Sequence, residues 1–144
     1  MRTKILVVDD DPDLLLLLRV TLASEDFQCL LAKNGQDAVD EAHLEHPDLI
    51  LLDIMMPVMN GWEVLQRITG ADSVGPAAPV IVVSAKASEV DIARALELGA
   101  VDYIVKPFDP DVLLACIAAV VERTPEELDR RRTERLAAIS ARAR

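Results

Sequence analysis

The feature that most constrains the fold is a regular alternation of short apolar runs with helix-length segments. The runs KILVV, LILL and VIVV are continuously hydrophobic, which is typical of parallel strands covered by helices on both faces. The predicted strands are Lys4–Val8, Phe27–Ala32, Asp48–Asp53, Val80–Ser84 and Val101–Val105. Because parallel strands need long crossover connections, the segments between them are predicted to be helices. The sequence therefore predicts an α/β fold with a five-stranded parallel sheet.

Capping residues mark where these helices begin. Asp11-Pro12 and Asp109-Pro110 each place a side-chain acceptor before a proline at the first helical position. Asn34 and Ser88 each stand three residues before an aspartate, which is a second common pattern at helix starts. Gly99 is predicted to end the fourth helix.

The length and charge distribution of the chain indicate one domain with an extension. The chain has 144 residues, of which 51% are hydrophobic, enough for a single globular core. Residues 1–122 carry 21 acidic and 8 basic side chains, a net charge of −13, whereas residues 123–144 carry 4 acidic side chains and 7 arginines, a net charge of +3. We therefore expect a domain over residues 1–122 and an Arg-rich helical extension over residues 123–144.

The extension has only a thin apolar stripe, formed by Leu128, Leu136 and Ile139. We expect a solvated helix that continues from the fifth helix or folds back on it. A dimerising helix is the second interpretation. Binding of nucleic acid or another acidic partner through Arg130–Arg132 is the third, because a run of charges is usually a solvated face.

Composition argues against several other classes of protein. The acidic excess of residues 1–122 and the presence of only four aromatic residues disfavour direct DNA binding. Cys29 and Cys116 each lie in an apolar run and are expected to be buried, reduced thiols. The N-terminus MRTKILVVDDD lacks the pattern of a signal peptide, and the longest apolar stretch, Val112–Val121, is too short to span a membrane. We expect a cytoplasmic protein that does not bind membranes.

Polar side chains with distinctive chemistry stand at the ends of the predicted strands. Asp9 and Asp10 follow the first strand, Asp53 ends the third, Ser84 ends the fourth and Lys106 follows the fifth. The carboxyl ends of parallel strands share one edge of a sheet, where ligands of such folds bind. Clustered carboxylates repel one another unless a cation lies between them, and a hard divalent ion such as Mg²⁺ suits oxygen ligands.

An aspartate beside Mg²⁺, a hydroxyl and a lysine is arranged to attack phosphorus. The central strand-end carboxylate, Asp53, is therefore the predicted nucleophile, and Lys106 and the metal would offset the charge of the phosphoryl oxygens. Asp11 precedes a proline and is interpreted as a helix cap. Each of the other residues alone would be ordinary loop or capping chemistry, but their occurrence at successive strand ends favours one shared site.

The segments ILVVDDDP, LILLDIMMPVMNGWEVL, VIVVSAKAS and GAVDYIVKPF resemble those of the receiver domains of bacterial two-component response regulators. The resemblance covers about residues 3–122. It implies a flavodoxin-like, doubly wound sheet of strand order 2-1-3-4-5 with helices on both faces. Ser84 stands where threonine is frequent in the family, and Asn60 where aspartate is frequent.

The resemblance also implies a role for each motif residue. Asp53 would be the phosphoacceptor, and Mg²⁺, or Mn²⁺ in its place, would be bound by Asp10, Asp53 and the backbone carbonyl of Met55, with Asp9 acting through water. Ser84 would bond a phosphoryl oxygen. Lys106 would pair with the phosphate or, in its absence, with Asp53, and the Lys106-Pro107 peptide bond is commonly cis in the family. Tyr103 matches the aromatic switch residue, which moves inward with Ser84.

The implied partners are a histidine kinase or phosphotransfer protein that supplies the phosphoryl group and a downstream target. The fourth helix, fifth strand and fifth helix would form the signalling surface and the interface of a homodimer.

In the first helix, Leu14, Leu17, Leu18 and Leu22 are predicted to face the core. Leu15 and Leu16 are then left on the outer, kinase-facing side.

Three alternatives share part of this pattern. A haloacid-dehalogenase-type phosphatase needs an acid two residues after its nucleophile, where this chain has Met55, so no substrate turnover is expected. A pseudo-receiver usually lacks one of the acids or the lysine, all of which are present. A receiver fragment of a larger transcriptional regulator would show the same motifs in the same order, so this alternative stays open.

Overall fold

The computed structural model describes residues 2–56, 59–69 and 78–142. The strands are β1 (Lys4–Val8), β2 (Gln28–Ala32), β3 (Leu49–Leu52), β4 (Val80–Ser84) and β5 (Asp102–Val105). The helices are α1 (Pro12–Ser24), α2 (Gly35–Glu45), α3 (Gly61–Thr69), α4 (Glu89–Glu97), α5 (Pro110–Val121) and α6 (Pro125–Arg142).

The strands form one parallel sheet in the order β2-β1-β3-β4-β5. This arrangement confirms the predicted fold class and strand order. The chain reverses direction across the sheet between β2 and β3, so β1 and β3 lie side by side at its centre. In open α/β sheets, ligands bind outside the carboxyl ends of the strands at this reversal. The strand-end residues of β1 and β3 therefore occupy the position where a site is expected.

Alternate residues of the strands pack into two apolar layers. In β1, Leu6 and Val8 belong to the layer that includes buried side chains of α2 and α3, whereas Ile5 and Val7 belong to the layer that includes α1 and α5. Both layers are fully buried at the central strands. This explains why the strand sequences are continuously hydrophobic.

The helices begin at the predicted caps. The side chains of Asp11, Asn34, Ser88 and Asp109 each accept a hydrogen bond from a backbone N–H in the first turn, at 2.8 to 3.1 Å. Gly99 follows the end of α4 with φ at +111°, in the left-handed region that favours glycine.

The burial of the α1 leucines differs from the prediction in part. Leu15, Leu18 and Leu22 are buried, and Leu14 is partly buried, but Leu17 is half exposed. The prediction was therefore wrong for Leu15, which faces the core, and for Leu17, which faces outward. Five consecutive leucines contain no polar residue that marks the outer face, so the sequence leaves the rotation of the helix about its axis undetermined.

The C-terminal helix α6 folds back over the edge of the sheet. Arg132 of α6 contacts the last turn of α4, and Arg142 of α6 contacts the first residue of α4. The helix α6 therefore runs antiparallel to α4. Leu128 and Ile139 of the apolar stripe are buried, and Leu136 is partly buried. Arg131 and Arg132 make polar contacts with the body of the domain and do not form a solvated face. Among the described residues, no helix has both the length and the hydropathy needed to cross a bilayer.

Candidate functional site

Three carboxylates lie together at the carboxyl edge of the sheet. Asp9 and Asp10 follow β1, Asp53 follows β3, and one oxygen from each lies within 4.8 Å of the others. Asp9 is 3% exposed and Asp53 is 5% exposed, whereas Asp10 is exposed. The cluster therefore has two buried carboxylates and one that is open to solvent.

Lys106 joins the two buried carboxylates. Its Nζ lies 2.7 Å from Asp9 Oδ2 and 3.2 Å from Asp53 Oδ2. The remaining carboxylate oxygens accept backbone hydrogen bonds, Asp9 Oδ1 from the Asp11 N–H and Asp53 Oδ1 from the Met55 N–H, both at 2.9 Å. These contacts fix the orientation of both carboxylates. The Lys106-Pro107 peptide bond is cis.

The electrostatics of the cluster favour a further cation. Burial raises the pKa of the Asp53 carboxyl; the Met55 N–H and Lys106 oppose this rise, and the Asp9 charge adds to it. Burial alone would lower the pKa of Lys106, but its bonds to Asp9 and Asp53 raise it overall. Among the described residues, Lys106 is the one cation paired with this cluster of three carboxylates, so the cluster has an excess of negative charge. Hard oxygen donors with excess negative charge are suited to a divalent ion such as Mg²⁺.

Ser84 and Tyr103 lie on the strands next to this cluster. Ser84, the last residue of β4, is fully buried, and its Oγ accepts a hydrogen bond from the Lys86 N–H at 3.2 Å. The Tyr103 hydroxyl donates to the Lys86 carbonyl at 2.7 Å. Burial raises the pKa of Tyr103, which keeps its hydroxyl protonated as a donor. The side chain of Met55 is half exposed at the rim.

All of the strand-end residues predicted from the sequence are thus at one edge of the sheet. A family model described as the response regulator receiver domain matches residues 5–118. The chain belongs to this family. It is a receiver domain of the kind found in two-component response regulators.

Two curated relatives are longer than this receiver domain. The DNA-binding response regulator MtrA of Mycolicibacterium smegmatis is 42% identical over 127 residues, which cover 88% of this chain and 54% of MtrA. The response regulator ArlR of Staphylococcus aureus strain Mu50 is 39% identical over 125 residues, which cover 87% of this chain and 55% of ArlR. The chain spans about half the length of these relatives.

A solved structure shares the fold. The BeF3-activated N-terminal receiver domain of Klebsiella pneumoniae RstA has a TM-score of 0.77 and 32% identity, and the match covers 84% of this chain and all of that one.

The expectation that the protein does not bind DNA directly gains no support from its relatives, because MtrA is described as DNA-binding.

Sequence reasoning did not single out Asp102. This carboxylate begins the edge strand β5, is 6% exposed, and accepts hydrogen bonds from Arg131 and Arg135 of α6. An aspartate within an apolar strand is unusual, and this pattern indicates a buried carboxylate that needs a partner. Its arginine partners lie about 30 residues further along the chain, so the pairing could not be read from local sequence.

The excess negative charge leads to a prediction for stability. In metal-free protein at neutral pH, Asp53→Asn should raise Tm by a few degrees, or roughly 1 kcal/mol, because it removes one of the crowded charges. The folded-state pKa of Asp53 lies above its unfolded value. The ionised carboxylate therefore costs stability as pH rises through this interval, so the gain should vanish in acid, where Asp53 is protonated in both states.

The matched control is Asp40→Asn, at an exposed carboxylate on α2. We expect its Tm to stay within the small range of surface substitutions. Adding Mg²⁺ should raise the Tm of the parent protein more than that of Asp53→Asn, because a bound ion stabilises the folded state. A lower Tm for Asp53→Asn at neutral pH would contradict this account of the site.

Proposed function

We propose that this receiver domain accepts a phosphoryl group on Asp53 from the phosphohistidine of a histidine kinase or phosphotransfer protein. The observation that carries the proposal is the position of the Asp53 carboxylate. It lies in a cluster with Asp9 and Asp10 and is held by Lys106 at 3.2 Å. The reaction forms a bond between an Asp53 carboxylate oxygen and phosphorus. It breaks the bond between phosphorus and the imidazole nitrogen, which keeps the electron pair.

Residues at the carboxyl edge of the sheet would bind the metal ion and the phosphoryl group. Asp10, Asp53 and the Met55 carbonyl would hold Mg²⁺, or Mn²⁺ in its place, and Asp9 would act through water. When bound, the ion would offset charge on the phosphoryl oxygens. Lys106 already lies between Asp9 and Asp53, so it can pair with a phosphoryl oxygen after a small movement. Ser84 would donate its hydroxyl proton to another of these oxygens.

Phosphorylation would then change the surface formed by α4, β5 and α5. Ser84 ends β4 and Lys106 follows the adjacent strand β5, and each would be drawn toward the phosphoryl group. Tyr103, whose hydroxyl is bonded to the Lys86 carbonyl in the segment after β4, would respond to the movement of Ser84. This is a local electrostatic change with a distant structural result.

We further propose that the domain signals without turning over a substrate. A phosphatase of the haloacid-dehalogenase type needs an acid two residues after the nucleophile, and Met55 occupies that position. The longer relatives MtrA and ArlR favour a second possibility at the level of the whole protein, in which the receiver controls a further domain of a larger regulator.

The proposed function is tested by treating the full chain with acetyl phosphate as a small phosphoryl donor. We expect one phosphoryl group per chain in the presence of Mg²⁺ and a large loss of modification when a chelator removes the metal. The modification should be labile in alkali, as an acyl phosphate is. Equal modification with and without the chelator would contradict the role of the metal.

An exposed apolar patch on α1 is proposed as the docking surface for the kinase. Leu16, Leu17 and Val20 are 50 to 62% exposed and lie on one side of the helix. Contiguous exposed apolar patches mark protein–protein interaction surfaces. Leu16→Glu combined with Leu17→Glu should slow phosphoryl transfer from a histidine kinase by at least about tenfold, a loss of roughly 1.4 kcal/mol. Phosphorylation by acetyl phosphate should be unchanged.

The matched control is Leu44→Glu on α2, where the leucine is 75% exposed. It should leave transfer from both donors unaltered. An unchanged rate with the kinase for the α1 variant would contradict the docking role. Equal loss with both donors would indicate damage to the fold.

A further inference from the structure

We propose that α6 occupies a partner-binding face of its own receiver domain and that phosphorylation of Asp53 releases it. We call this surface the α6-docking face. It consists of Glu89 and the Leu96 carbonyl of α4 and of Asp102 and the Tyr103 carbonyl of β5. Cys116 of α5 supports this face by donating to Asp102. The inference rests on the proposed function, because it requires Asp53 to be a phosphoacceptor.

Asp102 makes the packing of α6 specific. Arg131 Nη2 donates to Asp102 Oδ2 at 2.6 Å, and Arg135 Nη1 donates to Asp102 Oδ1. The Cys116 thiol donates to Oδ2 at 3.2 Å. A buried carboxylate is strongly unfavourable without a compensating cation. The two arginines of α6 provide that charge, and without them Asp102 would need water or the cation of a partner.

Further contacts hold α6 along its length. Leu128 near its start and Ile139 near its end are each 7% exposed. Arg132 Nη1 donates to the Leu96 carbonyl at 2.9 Å, at the end of α4. Arg142 pairs with Glu89 at 2.8 Å, at the start of α4. The helix α6 therefore lies against both ends of α4 and across β5, which are two of the three elements of the surface on which the domain is proposed to signal.

The short strand β5 connects α6 to the phosphorylation site. Its first residue, Asp102, binds α6, and Lys106, the residue after its last, binds Asp9 and Asp53. Arg135 also donates to the Tyr103 carbonyl in the same strand. A movement of Lys106 toward a phosphoryl group therefore acts on a four-residue strand whose other end is held by α6.

The segment between β4 and α4 provides a second connection. Ser84 ends β4, and Glu89 begins α4 and pairs with Arg142. Between them, the Lys86 N–H donates to Ser84 Oγ, and the Lys86 carbonyl accepts from the Tyr103 hydroxyl. Only four residues separate the proposed phosphoryl ligand Ser84 from a residue in contact with α6.

These connections determine the direction of the effect. The contacts of α6 are satisfied while Lys106 binds Asp9 and Asp53 and the Tyr103 hydroxyl binds the Lys86 carbonyl. A phosphoryl group on Asp53 gives Lys106 and Ser84 a new acceptor, which moves the residues at the site end of both connections. Phosphorylation should therefore weaken α6 docking, and weaker docking should favour the phosphorylated state.

Hydrogen–deuterium exchange of the full chain tests whether phosphorylation weakens α6 docking. The amides of α6 should exchange at least about fivefold faster after phosphorylation by acetyl phosphate and Mg²⁺, which is the lower end of typical coupling between sites. Asp53→Asn, treated in the same way, should show no change in α6. Mass spectrometry of the same samples measures the phosphorylated fraction.

Variants of the α6 arginines test whether weaker α6 docking favours phosphorylation. Arg131→Gln combined with Arg135→Gln should speed α6 exchange without phosphorylation and raise the phosphorylated fraction at steady state. The charge-matched control is Arg130→Gln combined with Arg123→Gln, because both of these arginines are exposed and lie outside the α6-docking face. If the first pair destabilises the fold, Arg142→Gln should give a smaller change in the same direction.

The outcomes separate this inference from the proposed function. Phosphorylated protein whose α6 exchanges at the original rate would overturn the inference and leave the proposed function intact. Failure of Asp53 to accept phosphate under any condition would overturn both. Faster exchange in phosphorylated parent protein, absent from Asp53→Asn, would establish the coupling.

Discussion

Asp53→Asn is expected to reduce phosphorylation by acetyl phosphate and Mg²⁺ at least about 100-fold, to the background of the assay. Asparagine has nearly the same shape as aspartate, so it can keep the hydrogen bond from the Met55 N–H. Its neutral amide oxygen is a far weaker nucleophile toward phosphorus than a carboxylate. The loss should therefore be chemical in origin and should not reflect unfolding.

Intact-protein mass spectrometry provides the measurement, and peptide mapping identifies the modified residue. Asp40→Asn serves as the control, because it removes an exposed carboxylate from α2 and leaves the cluster intact. Phosphorylation of Asp53→Asn at the parent rate, with the group mapped to Asp9 or Asp10, would assign the acceptor to a different member of the cluster. Modification at a distant residue would reject the proposed site as a whole.

Gly61→Ala is expected to destabilise the domain by about 3 kcal/mol, with a fall in Tm of roughly 10 °C. A Cβ at this position would lie 2.1 Å from Ile54 Cα and 2.6 Å from the Asp53 carbonyl oxygen. These are backbone atoms and cannot rotate away as a flexible side chain could. The Gly61 N–H also donates to the Ile54 carbonyl at 3.0 Å, so the two segments are bonded at their point of closest approach.

Thermal and denaturant unfolding measure this effect. Gln66→Ala is the control on the same helix, because Gln66 is exposed and its substitution should change stability by no more than about 0.5 kcal/mol. Since Gly61 packs against the residue after Asp53, the variant should also lower phosphorylation by the small donor. A Tm equal to that of the parent would show that the backbone after β3 can shift without cost.

Most of the fold and the proposed site could be predicted from the sequence because both depend on local patterns. Lys4–Val8 and Val80–Ser84 have the predicted bounds as strands. A polar residue begins the first apolar run and Asp9 follows it, whereas Pro79 precedes the second run and Ser84 ends it. Once the strands are parallel, their carboxyl ends must share one edge. Asp9, Asp53 and Lys106 could therefore be placed together from their positions in the sequence.

Features that depend on contacts between distant segments could not be predicted. Leu15 and Leu17 were assigned to the wrong sides of α1, because a run of leucines does not show which side faces the core. The α6 arginines have the composition of a solvated face, and only the folded structure brings Arg131 and Arg135 to Asp102. Long-range ion pairs of this kind have no periodic signal in the sequence.

The connection between α5 and α6 is only three residues long, Glu122 to Thr124. A segment held by so short a connection is present at its binding surface at an effective concentration on the order of millimolar. Any second molecule that binds the same surface must compete with α6 at this effective concentration. The cellular concentration of such a molecule is typically far lower. Weakening of α6 docking by a modest factor would thus raise the apparent affinity of such a partner by up to that factor, without any new contact between the two molecules.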